Sequence, residues 1–190
     1  KLTLALMDET EESRELARDL DQMDRMLNEF LTFARGDRPE DPAPTDPAAL
    51  AGGIVENARR AGAKVELVTE FDTPDAPRVS LRAGSVTRAV ENLAGNAVRH
   101  GNRVRLTVRT SPRALAFVVE DDGPGIAAAD RLRALQPFTR LDSARNQDAG
   151  GGVGLGLAIA LDAARSHGGS LDLGVSQDLG GLRATLLLPR

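Results

Sequence analysis

The chain has 190 residues, of which 41% are hydrophobic and 27% charged, and a formal net charge of -4. Such a composition suits a globular domain with a real core, and the mild acidity excludes the basic footprint of a nucleic-acid binder. The absence of cysteine removes disulfides, zinc–thiolate sites and thiol nucleophiles, and no apolar run approaches the roughly 18 residues that span a bilayer.

No signal peptide is visible, and lysine occurs only as Lys1 and Lys64, so no lysine is expected to carry chemistry. The opening Lys1 to Met7 has no start signal and reads as the tail of a longer element. Asp8 to Ser13 form a polar turn whose acids favour a helix N-terminus. The helix that follows is predicted to reach Arg35. Its apolar residues Leu16, Leu20, Met23, Leu27, Phe30 and Ala34 repeat at 4-3-4-3-4, the seam of a coiled coil or bundle. One helix and a stub cannot bury that seam. A homodimeric four-helix bundle is the simple solution, and packing back onto the chain's own globular part is the alternative. Residues 37–47 contain four prolines and several charges and are expected to be an extended, semi-rigid linker.

The globular part is expected over 48–190. Its pattern predicts a helix at 47–61, strands at 64–70 and 78–81, and a long helix at 84–99. Strands at 103–109 and 114–120 follow, then an irregular glycine-rich region over 122–153, a helix at 154–167 and a hairpin from 170–175 and 182–188. This alternation implies a two-layer α/β sandwich, a mixed sheet covered by helices on one face. The long connection 126–153 is of the kind that usually serves as a functional lid.

Three stretches carry chemistry. The apolar run Leu115 to Val119 suits a buried strand, and it ends in Asp121-Asp122-Gly123-Pro124-Gly125-Ile126. An acid held partly desolvated at a strand end makes a strong hydrogen bond to a ligand N–H, and the glycines let backbone approach a flat ligand. A plain Asp-Gly turn is the other reading. On the long helix, Asn92, Asn96 and Arg99 fall on one face at i, i+4 and i+7. An amide oxygen is a hard ligand suited to Mg²⁺ and a guanidinium pairs with phosphate, although a solvated polar face would look the same. Gly150 to Gly156 then runs straight into a helix, offering free N–H groups and the positive dipole end to an anion. No strand immediately precedes these glycines and no Walker lysine is present, so neither dinucleotide nor P-loop fingerprints apply.

Taken in order, Asn-x-x-x-Asn-Ala, Asp-x-Gly-x-Gly and Gly-x-Gly-x-Gly before a helix resemble the ATP-binding fold of sensor histidine kinases, within the GHKL group. Pro137-Phe138-Thr139-Arg140 is similar to the family's F box. His167-Gly168-Gly169 and Gly180-Gly181 before Leu186-Leu187-Leu188-Pro189 also resemble the family. The leading helix, ending Asn28-Glu29-Phe30-Leu31-Thr32-Phe33-Ala34-Arg35-Gly36, resembles the second helix of the dimerisation and histidine-phosphotransfer domain, osmosensor type. Residues 1–36 would then be a fragment of that domain.

The resemblance implies that Asp121 accepts the adenine amino group, that Gly123 and Gly125 line the base pocket beside Ile126, and that Asn96 is the Mg²⁺ ligand. Asn92, Arg99 and His100 match positions near phosphates and base, with histidine at 100 where tyrosine is usual. Phe138 and Arg140 match the F box, where Arg140 can approach the γ-phosphate. Gly152, Gly154, Leu155 and Gly156 match the glycine box, and Val153 stands where threonine is common. The implied chemistry is transfer of the ATP γ-phosphoryl to a histidine nitrogen, then to an aspartate of a response regulator receiver domain. Neither His100 nor His167 resembles the phosphoacceptor box, which is expected upstream of Lys1, so this chain is expected not to phosphorylate itself. The resemblance further implies a homodimer, a cytoplasmic location, and an inner-membrane parent anchored by segments outside this chain. Three rivals stay open: a GHKL ATPase, a non-enzymatic module with a degenerate pocket, and an anti-sigma serine kinase. An ATPase of this group places a glutamate base where Asn92 stands, and the adjacent Glu91 is turned about 100° around the helix.

Overall fold

A computed structural model describes residues 40–72, 77–141 and 153–190, together with Ser13, Leu16, Ala17, Leu20, Met23 and Leu27 of the leading segment. Those six are helical, and Leu16, Met23 and Leu27 are exposed. Phe30 and Ala34 of the seam, residues 37–39 of the expected linker, and Gly150, Gly151 and Gly152 lie outside the described residues.

The chain first pairs a short strand β1 (Ala43–Thr45) with β3 (Val79–Leu81), antiparallel, Ala43 opposite Leu81. Here the structure departs from the expected linker. A proline-rich stretch is extended by its fixed φ, but a three-residue strand has no periodicity to show, and its partner lies far downstream. Asp46 then starts α1 (Pro47–Arg60). Its Oδ1 accepts the N–H groups of Ala48 at 2.9 Å and Ala49 at 3.1 Å, with Pro47 in the first turn, where a missing N–H costs nothing.

The main sheet has five strands in the order β2 (Val65–Glu70), β4 (Val104–Ser111), β5 (Ala114–Asp121), β7 (Leu182–Pro189), β6 (Ser170–Val175). β2 runs parallel to β4 and the other pairs are antiparallel, so the sheet is mixed as expected. Alternation sorts its faces. Leu106 and Val108 of β4, Leu115, Phe117 and Val119 of β5, and Leu186 and Leu188 of β7 are almost wholly buried. They join one core cluster with Ile54 and Val55 of α1, Val86, Ala89, Val90, Leu93 and Ala97 of α2 (Ala83–His100), and Ala160, Ala163 and Ala164 of a later helix. The α2 residues recur every three or four positions, the stripe a helix lays on a sheet. The opposite sheet face carries polar side chains: Arg105 reaches Glu66 at 2.9 Å and Asp178 at 2.7 Å, and Arg109 reaches Glu70 at 2.6 Å. The result is the expected two-layer sandwich.

The region read as irregular contains a 3-10 turn, Ala128–Asp130, continuing into a one-turn helix α3 (Arg131–Ala134). Four residues are too few to display a helical period. The final helix α4 (Gly156–Ser166) starts two residues later than expected, because Gly154 sits at φ +79°, outside helical space. Among the described residues no helix is long and apolar enough to cross a membrane.

Candidate nucleotide-binding site

Asp121 continues the inward alternation of β5 after Leu115, Phe117 and Val119, so an acid takes a core-facing position at the rim of the helical layer. It is 3% exposed. Its Oδ1 accepts the N–H groups of Gly123 at 2.9 Å and Leu182 at 3.1 Å, and its backbone oxygen accepts Gly181 N–H at 3.0 Å. Oδ2 has no hydrogen-bond partner among the described residues, which leaves it for a ligand N–H. A buried carboxylate held this way is pre-oriented and costs nothing further to position.

The glycines around it are there for space. A Cβ on Gly123 would stand 2.6 Å from the His100 carbonyl oxygen, and one on Gly101 2.9 Å from Asp121 Cβ. A Cβ on Gly181 would clash with Asp121 Oδ1, the Asp121 backbone oxygen and Gly123 N alike. Gly125 turns at φ +69° against Gly181. Ile126 follows, half-buried, with its carbonyl accepting Arg131 Nε at 3.3 Å. Gly101, Gly181 and Leu182 therefore belong to the acid's setting although sequence reasoning did not place them there. The Gly180-Gly181 pair before the last strand was the available signal.

Asp122 points to a different task. Its Oδ1 accepts the N–H groups of Asn102 at 2.7 Å and Arg103 at 2.9 Å, and Oδ2 meets Arg103 Nε at 3.2 Å. The Arg103 N–H above all, then the Asn102 N–H and the Arg103 guanidinium, hold its carboxyl below the ordinary carboxylate value against the opposing pull of desolvation. It fastens the turn after α2 to the end of β5.

Along α2, Asn92 and Asn96 are half-buried while Arg99 and His100 are exposed. Asn92 Nδ2 donates to the Arg88 carbonyl at 2.8 Å, and its Oδ1 lies against Gly156, where a Cβ would come within 3.2 Å. Asn92 and the start of α4 are thus brought together, and the N-cap residue of that helix, Leu155, makes no side-chain capping bond. Leu155 is fully buried and acts as its anchor. Gly154 packs on the Phe138–Thr139 backbone, its would-be Cβ 2.7 Å from the Thr139 oxygen. Phe138 itself adopts φ +62°, a left-handed conformation rare outside glycine, and is exposed. Gly154 and the Phe138–Thr139 backbone are therefore brought together. Arg140 is exposed on the stretch just beyond, and among the described residues no hydrogen bond ties it, Asn96, Arg99 or the His100 ring to the other site residues. Asn96 has no hydrogen-bond partner among the described residues. Glu91, by contrast, faces a groove of about 580 Å³ between α1 and α2, with Ala94, Gly95 and Val98, on a different side of the helix from Asn92.

Residues 82–190 match the family described as Histidine kinase-, DNA gyrase B-, and HSP90-like ATPase. The sensor protein RstB of Escherichia coli is 33% identical over 183 residues, 94% of this chain and 41% of RstB. The NMR structure of the histidine kinase domain of the E. coli osmosensor EnvZ is 35% identical, with a TM-score of 0.60, over 80% of this chain and 91% of that one. The crystal structure of the ATP binding domain of PrrB from Mycobacterium tuberculosis is 27% identical with a TM-score of 0.64, over 79% and 98% of the two chains. The chain spans about two fifths of the length of the curated relatives it matches. With the family match running from Arg82 to the last residue, over more than half of the chain, this chain belongs to the histidine kinase-, DNA gyrase B- and HSP90-like ATPase family.

Proposed function

We propose that residues 48–190 are the ATP-binding catalytic domain of a two-component sensor histidine kinase, preceded by a linker and by part of its dimerisation domain. The observation that carries this reading is Asp121. One oxygen is spent on Gly123 and Leu182 N–H groups and the other is left for a ligand N–H, as recognition of an adenine amino group requires.

From there the roles follow along α2. The base lies over Gly123, Gly125 and Ile126, with the His100 ring at its edge. The phosphates lie toward Asn92, Arg99 and the start of α4, where Gly154, Leu155 and Gly156, with Gly152 of the same glycine run, offer backbone and dipole. Arg140 supplies charge from the F-box side. No group of three His, Asp or Glu able to hold a metal exists among the described residues. The unpartnered Asn96 amide oxygen fits Mg²⁺, which keeps waters and shares phosphate oxygens rather than filling a protein cage. When bound, Mg²⁺ supplies charge neutralisation at those oxygens. The chain's own residues position the γ-phosphoryl for attack by an imidazole nitrogen, and the phosphoryl then passes to an aspartate of a response regulator.

That imidazole is neither histidine here. His167 is committed at both ring nitrogens, Nδ1 to the Ala163 oxygen at 2.8 Å and Nε2 to Arg82 N–H at 3.3 Å. His100 ends the nucleotide helix. The ATPase rival is disfavoured by Asn92, which stands where the base would be, and by Glu91, which faces the α1–α2 groove.

The test is calorimetric titration of Mg-ATP into this chain and into Asp121→Asn, a suitable method since neither Trp nor Tyr is available for fluorescence. Loss of the charged acceptor should weaken binding by about 10- to 100-fold, and incubation with γ-labelled ATP should leave no stable label on the chain. Absence of binding in the parent would favour the non-enzymatic module.

A further inference from the structure

Helix α2 carries most of the proposed site, yet its N-cap residue provides no side-chain cap. Arg82, at the N-cap, makes no side-chain capping bond, and the first turn contains no acid. The acceptor comes from far away. Gly84 N–H donates to the Glu40 carboxylate, 3.0 Å to Oε2 and 3.2 Å to Oε1. A Cβ at residue 84 would stand 3.1 Å from Oε2, so glycine leaves the carboxylate room. The register explains why Glu40 arrives there. β1 pairs with β3 as Ala43 to Leu81 and Thr45 to Val79. Continuing the same antiparallel register backward sets residue 40 opposite residue 84. Cap and ribbon are therefore one device, and a slip of one residue would undo both.

We propose that Glu40 is a positioning residue for the nucleotide site. Its carboxylate, borne on the segment that leads into the domain, caps α2 and sets the pose of the Asn92 and Asn96 face. How the leading segment enters the domain is then transmitted to the site through one hydrogen-bonded pair. A carboxylate at a helix N-terminus gains from both the N–H group and the dipole. The consequence for nucleotide rests on the kinase reading, whereas the consequence for the amide face does not.

The test uses the full chain with Glu40→Ala, Glu40→Gln and, as a matched control, Asp46→Ala. Asp46 caps α1, which carries none of the proposed site residues. Glu40→Ala should weaken Mg-ATP binding about threefold to tenfold. Glu40→Gln, which keeps an acceptor oxygen, should recover part of that loss. Asp46→Ala should lower the melting temperature and leave affinity unchanged. Equal affinity in Glu40→Ala and the parent, or an equal loss in Asp46→Ala, would overturn the proposal. The second readout needs no nucleotide: the side-chain amide resonances of Asn92 and Asn96 should move in Glu40→Ala but not in Asp46→Ala. Should the parent bind no Mg-ATP, the kinase reading fails and these resonances alone decide, with unmoved resonances overturning the positioning role.

Discussion

Asp121 and Asp122 are neighbours with opposite surroundings. Asp121 is buried, its Oδ1 taken by backbone donors from its own turn and from β7. Asp122 faces the turn after α2 and binds Asn102 and Arg103. The pair was legible in the sequence as a motif. The division of labour was not, because the donors come from residues 102–103 and 182, which no local pattern connects to 121 or 122. Asp122 also makes a pH statement. Its folded carboxyl is held below the ordinary carboxylate value, chiefly by the Arg103 N–H. Its stabilising contribution is present above the unfolded value of about 4 and is lost as pH falls through the lower folded value. Asp122→Asn should therefore lower the melting temperature at neutral pH and flatten its fall in acid. An acid limb as steep as the parent's would contradict this role.

At the scale of elements, helices α1 and α2 each carry a weakness. Gly53 and Gly95 are exposed in helix interiors, and a Cβ at either would meet nothing within 4 Å. Each costs about 0.5–1 kcal/mol against alanine through chain entropy. Gly53→Ala and Gly95→Ala should thus each stabilise by about 0.5–1 kcal/mol in denaturant titration, additively, since they sit on separate helices. Gly123→Ala should behave oppositely, because its Cβ would press on the His100 oxygen. Element positions were readable wherever a period ran for six residues or more. That is why α1, α2, α4 and the five strands of the main sheet fell close to expectation. β3 was expected at 78–81 although it is only three residues long, whereas its partner β1 is defined by that distant pairing, and α3 and the 3-10 turn are too short to show a helical period.

For the molecule as a whole, the two-layer arrangement followed from the order of helices and strands. The association of chains does not follow from the described residues alone. Leu16, Met23 and Leu27 stand exposed on the leading helix at seam spacing. On the proposed homodimer, a second copy covers them. Sedimentation of the full chain should then show a dimer, and Met23→Glu with Leu27→Glu should shift it to monomer while leaving Mg-ATP affinity unchanged. A monomeric parent would remove the bundle from this reading. The joining of Asp121 to Leu182 has an effect in time as well as in space. A ribosome releases α2, with its amides, and β5, with its acid, well before the closing strand. Until β7 has left the exit tunnel and paired beside β5, Oδ1 lacks one of its two donors. A chain broken off between β5 and β7 would thus hold Asp121 and the amide face and still have no finished pocket, so ligand competence waits on a strand some sixty residues downstream of the acid.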